Sequence, residues 1–230
     1  MNDASPQPTA NLVVVSAGVS EPSSTRLLAD RIAQKAVDTL RESGVGVTLS
    51  VIDLAPIAVD IARSIVSGFP SRKVQEGIER LAAADAIIAT TPVYKAGVSG
   101  LFKSFADLID NDLLIAKPVI LAATGGTARH AMVVDEQMRP LFAFLRAIPV
   151  PTSLYAAPED WGSVDLGRRI ARAATELALL LRSGAPRDIA TDNWAGYQHQ
   201  FGGNATRAQR SIDAVDFGSD LMRLAAGGSA

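Results

Sequence analysis

The chain has 230 residues, of which 48% are apolar and 20% charged, enough apolar material for a full core in one domain. With 22 basic against 24 acidic residues the formal charge is −2, which argues against a polyelectrolyte reader of nucleic acid or a polybasic membrane binder. There is no cysteine, so disulfides, thiolate metal sites and cysteine nucleophiles are excluded, and the two histidines, His130 and His199, lie too far apart in sequence to suggest a histidine-rich metal site.

Residues 1–10 are polar and contain proline, without the basic-then-apolar layout of a secretory signal; they read as a flexible N-terminus. No apolar run nears the roughly 18 residues that span a bilayer, so a cytoplasmic protein is expected. Leu12-Val13-Val14-Val15 is a short β-branched run, as in a strand buried on both faces. Leu28, Ile32, Ala36 and Leu40 recur every four residues and predict a helix over 25–40, closed at Gly44. Residues 45–52 read as a second strand. Residues 53–72, with Pro56, Gly68 and Pro70, read as a long irregular connection. Val74, Ile78 and Leu81 predict a helix over 73–83, and 85–90 a third strand. After a loop at 91–97, a helix is expected to bury Val98, Leu101, Phe102, Phe105, Leu108 and Ile109. Residues 118–123 read as a fourth strand. Val134, Met138, Leu141, Phe142 and Leu145 mark a helix bent at Pro140. A fifth strand is expected at 150–156 and a fifth helix at 165–182.

Five alternations with long crossovers predict an α/β domain over 11–182, a doubly wound five-stranded parallel sheet in the order 2-1-3-4-5. Residues 183–230 read as a C-terminal extension, interfacial or partly disordered, in which Ile212, Val215, Leu221 and Leu224 suit a short amphipathic helix.

Ligands of such sheets bind beyond the carboxyl ends of the strands. Three turns leave strands at that edge. The first, Ser16-Ala17-Gly18-Val19-Ser20-Glu21-Pro22-Ser23-Ser24-Thr25-Arg26, is dense in hydroxyls and enters a helix N-terminus, which favours a phosphate. The same residues serve equally well as a helix cap. Neither a Walker loop nor a G-x-G-x-x-G fingerprint is present. The second, Thr91-Pro92-Val93-Tyr94-Lys95, offers a stiff exit and a flat aromatic face for a planar heterocycle, or is an ordinary capped turn. The third, Thr124-Gly125-Gly126-Thr127, lets backbone amides approach a ligand, or is a plain glycine turn. His130 at a helix start reads as structural or interfacial, and Asp107, Asp110 and Asp112 as a solvated surface.

With these turns in order, the chain resembles the NADPH-dependent FMN reductase family of flavodoxin-like proteins over roughly residues 11–181. The resemblance is carried by 16–26, by Thr91-Pro92-Val93-Tyr94-Lys95 with Ser99-Gly100-Leu101-Phe102-Lys103, and by 123–130 with Met138-Arg139-Pro140-Leu141. The third segment is similar to flavin reductase components of two-component alkanesulfonate monooxygenases. The whole chain, with Phe217-Gly218-Ser219-Asp220-Leu221-Met222, is similar to the actinobacterial branch that accompanies luciferase-like monooxygenases. The resemblance implies a flavodoxin-like fold with FMN as cofactor. It puts Ser16, Ser23, Ser24 and Thr25 around the phosphate, with Ser20 and Arg26 nearby. It lines the isoalloxazine with Pro92, Val93, Tyr94 and Lys95, and sets Thr124, Gly125 and Gly126 at the pyrimidine end. Where some sulfonate-system reductases carry a tyrosine, this chain has Gly97-Val98, so behaviour tied to that aromatic is not carried over.

The expected reaction is hydride transfer from NADPH or NADH to N5 of FMN. It needs no acid–base residue, and the amides of Gly125 and Gly126 are the candidates to stabilise charge at N1 and C2=O. Reduced flavin would then pass to a partner monooxygenase. A homo-oligomer, dimer or tetramer, is expected, with no nucleic acid and no membrane as partner. A quinone or azo-compound reductase with bound FMN, and a flavodoxin-type electron carrier, remain as alternatives.

Overall fold

A computed structural model describes residues 9–192. Its parallel strands are β1 (Thr9–Ser16), β2 (Gly46–Asp53), β3 (Ala86–Tyr94), β5 (Pro118–Thr124), β6 (Ile148–Pro149) and β7 (Leu154–Ala156). A two-residue β4 (Gly97–Val98) folds back antiparallel on β3. The sheet runs β2-β1-β3-β5-β6, with β7 also pairing β5. The predicted order 2-1-3-4-5 therefore stands, with its fifth strand in two pieces.

The alternation of side chains along each strand builds two cores. On one face Val13, Val15, Ile87 and Leu121 pack against Ile61, Val74, Phe105 and Phe142. On the other, Leu12, Val14, Ile88 and Ile120 pack against Leu28, Ile32, Leu166 and Leu177. These last come from α1 (Ser24–Glu42) and α6 (Val164–Ser183). Ser23 caps α1, its hydroxyl accepting from Arg26 N–H, and Gly44 turns the chain out of the helix at φ 79°.

Several expectations are corrected. The connection at 53–72 contains a 3-10 turn (Ala55–Ile57) and a helix, α2 (Ala58–Ser67), before α3 (Arg72–Ala82). Residues 91–94, read as loop, continue β3. The next helix, α4 (Gly100–Ala106), is shorter than its apolar stripe, and Val98 belongs to β4. The bent helix is a π-helical turn (Val134–Met138) followed by α5 (Arg139–Phe144). The fifth strand breaks between β6 and β7, where Pro149 and Pro151 bring no N–H to the ladder. Arg139 takes up the stranded carbonyls of Val150 and Pro151, at 3.1 and 3.3 Å. Of the C-terminal extension, α7 (Ala185–Asp192) is described; the helix expected around 212–224 lies outside the described residues. Among the described residues no helix is long and apolar enough to cross a membrane.

Candidate flavin site

At the carboxyl edge of the sheet the three turns meet around one cleft of about 400 Å³, within the roughly 300–1,000 Å³ usual for cofactor sites. From the first turn come Gly18, Val19, Ser20, Ser24 and Thr25; from the second, Pro92, Val93 and Tyr94; from the third, Thr124, Gly125 and Gly126.

The first turn folds tightly onto the start of α1. A Cβ at Gly18 would stand 2.0 Å from Ser23 Oγ, so a side chain there would displace the hydroxyl that caps α1. The turn is joined to the third by a buried hydrogen bond, Thr25 Oγ1 to Thr124 Oγ1 at 2.7 Å. Ser16, at the end of β1, is wholly buried, and its hydroxyl has no partner among the described residues. Ser16 is not among the residues lining the cleft, so of the expected phosphate hydroxyls this one stays behind its wall. The lining hydroxyls of Ser20, Ser24 and Thr25 and the start of α1 suit a phosphate; the lining includes no cation.

Not every candidate reaches the cleft. The Ser23 hydroxyl is committed to capping α1. Arg26 pairs with Asp30 at 2.8 Å and Asp53 at 3.6 Å. Lys95 sits at the hairpin tip, exposed and outside the lining. Gly125 N–H already donates to Ala156 O at 3.2 Å, so of the two glycine amides only that of Gly126 is free among the described residues. His130 and Arg129 form a short 3-10 turn away from the lining.

Two features escaped sequence reasoning. A fourth turn, after β7, adds Ala156, Pro158 and Trp161 to the lining. An aromatic just beyond the last strand was the available signal. Trp161 is held by Arg31, whose guanidinium lies 5.8 Å from the ring centroid, and the turn by Asp160, which accepts from Ala157 N–H at 2.8 Å. The second feature is Tyr155. Its hydroxyl donates to Thr127 O at 2.6 Å, and a Cβ at Gly125 would stand 2.2 Å from it. Burial first, then the charges of Glu159 and Asp160, raise its pKa, so Tyr155 stays a proton donor.

A larger hollow of about 520 Å³ opens at the opposite edge of the sheet. Its half-buried amine, Lys117, is spent on the carbonyls of Ala82 and Ala84 at 2.8 and 2.6 Å. Burial lowers the Lys117 pKa, against the opposing charge of Asp85. Among the described residues no cluster of side chains could hold a metal ion.

The model of the NADPH-dependent FMN reductase family matches residues 10–162. The NADH-dependent FMN reductase SfnE of Pseudomonas putida is 35% identical over 78% of this chain and 90% of its own. The FMN reductase (NADPH) of Pseudomonas aeruginosa is 35% identical over 73% and 87%. Among solved structures, an oxidoreductase from Corynebacterium diphtheriae is 40% identical, with a TM-score of 0.73 over 76% of this chain and 98% of that one. The matched segment carries all three turns of the cleft, and by it the chain belongs to the NADPH-dependent FMN reductase family: it is a flavin oxidoreductase working with FMN and NAD(P)H.

Proposed function

We propose that this cleft is the FMN site of a cytoplasmic NAD(P)H-dependent FMN reductase, and that reduced flavin leaves it for a partner flavin-dependent monooxygenase. The observation that carries the reading is the meeting of hydroxyl-rich, aromatic and Gly-Gly turns in one cleft. The chemistry that FMN supplies when bound is acceptance of a hydride at N5 from a reduced nicotinamide.

The chain's own residues bind and orient. Ser20, Ser24, Thr25 and the first amides of α1 take the phosphate; Ser16, Ser23 and Arg26 support that turn from outside. Pro92, Val93 and Tyr94 bear on the ring, with Lys95 flanking them. Thr124 and Gly125 fix the wall at the pyrimidine end, and the Gly126 amide donates where negative charge grows. Tyr94, 50% exposed, leaves one side of the site open to the nicotinamide. A phosphate held by neutral donors, with Tyr94 half exposed, makes a grip light enough for the flavin to come and go. Residues 11–182 form the flavin domain in this reading, 183–230 an extension of it, and the active form is a homo-oligomer.

The test is oxidation of NADPH and NADH with FMN added to chain freed of flavin by gel filtration. FMN-dependent turnover with flavin lost on the column is expected. Flavin retained in stoichiometric amount would favour an FMN-bound quinone reductase or an electron carrier. Absence of FMN-dependent turnover in folded chain would overturn the reading.

A further inference from the structure

The hairpin that brings Tyr94 to the cleft turns through Lys95 and Ala96, whose φ angles are 51° and 63°. A tight turn with two left-handed central residues is ordinarily built from asparagine and glycine, because a Cβ crowds the backbone there. Lysine and alanine bring no such ease. The pairing beyond the turn is short, Tyr94 opposite Gly97 and Val93 opposite Val98. A strained turn persists only where its surroundings fix it.

Gln137 does the fixing. Its Oε1 accepts from Val98 N–H at 3.1 Å, and its Nε2 donates to the Ala96 carbonyl at 3.2 Å. One side-chain amide thus satisfies a donor and an acceptor along the hairpin edge, as a further strand would. Gly97 permits the approach, since a Cβ there would stand 3.1 Å from Gln137 Oε1.

The position of Gln137 depends on irregular backbone. It lies in the π-helical turn Val134–Met138, whose end residues are buried in the core. The wider turn changes which side chains share a face. Asp135 ties the same turn to the chain beyond β6: it accepts from Arg139 at 2.9 Å and from Ser153 at 2.5 Å.

We propose that Gln137 is a positioning residue for the flavin site. It holds the Lys95–Ala96 turn, and through it Tyr94, in the shape that receives the ring. This inference rests on the reading of the cleft as the FMN site. Without the clamp the turn samples other shapes, and apparent FMN affinity falls in proportion to the competent fraction. Once flavin is bound the shape is restored, so the saturated rate changes little.

The test compares Gln137→Ala, which removes both bonds, with Gln137→Glu, which keeps the acceptor for Val98 and loses the donor to Ala96. Hydrogen exchange at the Val98 amide and steady-state kinetics are measured on each. Gln137→Ala is expected to speed Val98 exchange and raise the FMN KM about tenfold while kcat stays within about twofold. Gln137→Glu should fall between, and it carries the test if the alanine variant does not fold. Unchanged Val98 exchange would overturn the clamp. Faster exchange with an unchanged KM would overturn its role in the flavin site. Absence of FMN turnover in the wild-type chain would sink the reading of the cleft, an outcome distinct from the exchange result.

Discussion

Thr25 and Thr124 are 99 residues apart in sequence, yet their hydroxyls meet at 2.7 Å in the interior. One sits in the first turn of α1, the other at the last position of β5. The bond fixes the distance between the turn read as the phosphate end and the turn read as the pyrimidine end. A site that must fit a ligand of fixed length gains from such a strut.

Replacing either threonine by valine keeps the shape and orphans the other hydroxyl. Each single variant is expected to lose roughly 1–3 kcal/mol in urea unfolding. The double variant should lose less than the sum, since no orphan remains. Fully additive losses would mean the two groups do not interact. The FMN KM should rise in both singles, because Thr25 and Thr124 also line the cleft.

Adjacent glycines in the third turn should respond differently to alanine. At Gly125 a Cβ meets Tyr155 Oη at 2.2 Å, and that hydroxyl is tied to Thr127 O. Gly125→Ala is expected to destabilise by about 1–3 kcal/mol. Adding Tyr155→Phe removes the obstructing oxygen and should recover part of the loss. At Gly126 nothing lies within 4 Å of an added Cβ. Gly126→Ala should therefore stay within roughly 0.5 kcal/mol of wild type in stability. Equal melting temperatures for the two variants would contradict this account.

How far the molecule could be read from its sequence varied with local physics. Buried parallel strands announce themselves, because runs such as Leu12-Val13-Val14-Val15 have no polar face. The three turns were legible for the same reason in reverse, small and hydroxyl-bearing residues directly after such runs. Helix α2 was not, because its pattern is inverted. Its buried positions are Ile61 and Ser64, while Val59, Ile65 and Val66 face solvent. The end of β3 was hidden because the Lys95–Ala96 turn has no turn chemistry of its own; Gln137, 41 residues beyond Ala96, supplies it. Trp161 was missed although the fifth strand was expected to end at residue 156, as β7 does: the turn beyond it, Ala157-Pro158-Glu159-Asp160-Trp161, lacks the hydroxyls and paired glycines that marked the first and third turns. Arg26 looked like a phosphate ligand because its pairing with Asp53 is invisible in one dimension, although Asp30 stands one helical turn on in the sequence.

Arg26 therefore gives a discriminating prediction. With its guanidinium engaged by Asp30 and Asp53, Arg26→Ala should change the FMN KM by less than about threefold, and salt should affect FMN binding little. Ser24→Ala, which removes a lining hydroxyl, should raise the KM more. A steep fall in FMN affinity with salt, abolished by Arg26→Ala, would mean that the arginine leaves its partners for the phosphate.

The π-helical turn should carry an acid-side signature. Burial pushes the Asp135 carboxyl up, but hydrogen bonds from Ser153 and Arg139, with the Arg139 charge, outweigh it and hold the pKa below the usual value of 3.8. The unfolded chain then binds its proton first as pH falls. The stabilisation is complete above the unfolded value and is lost as pH drops through the folded one. Because this pair is partly exposed, the effect is screened and modest. Urea unfolding of wild type and Asp135→Asn should differ at about pH 7 and converge as pH falls below about 3.8. A difference that stayed constant across that range would mean the contribution of Asp135 does not depend on its charge.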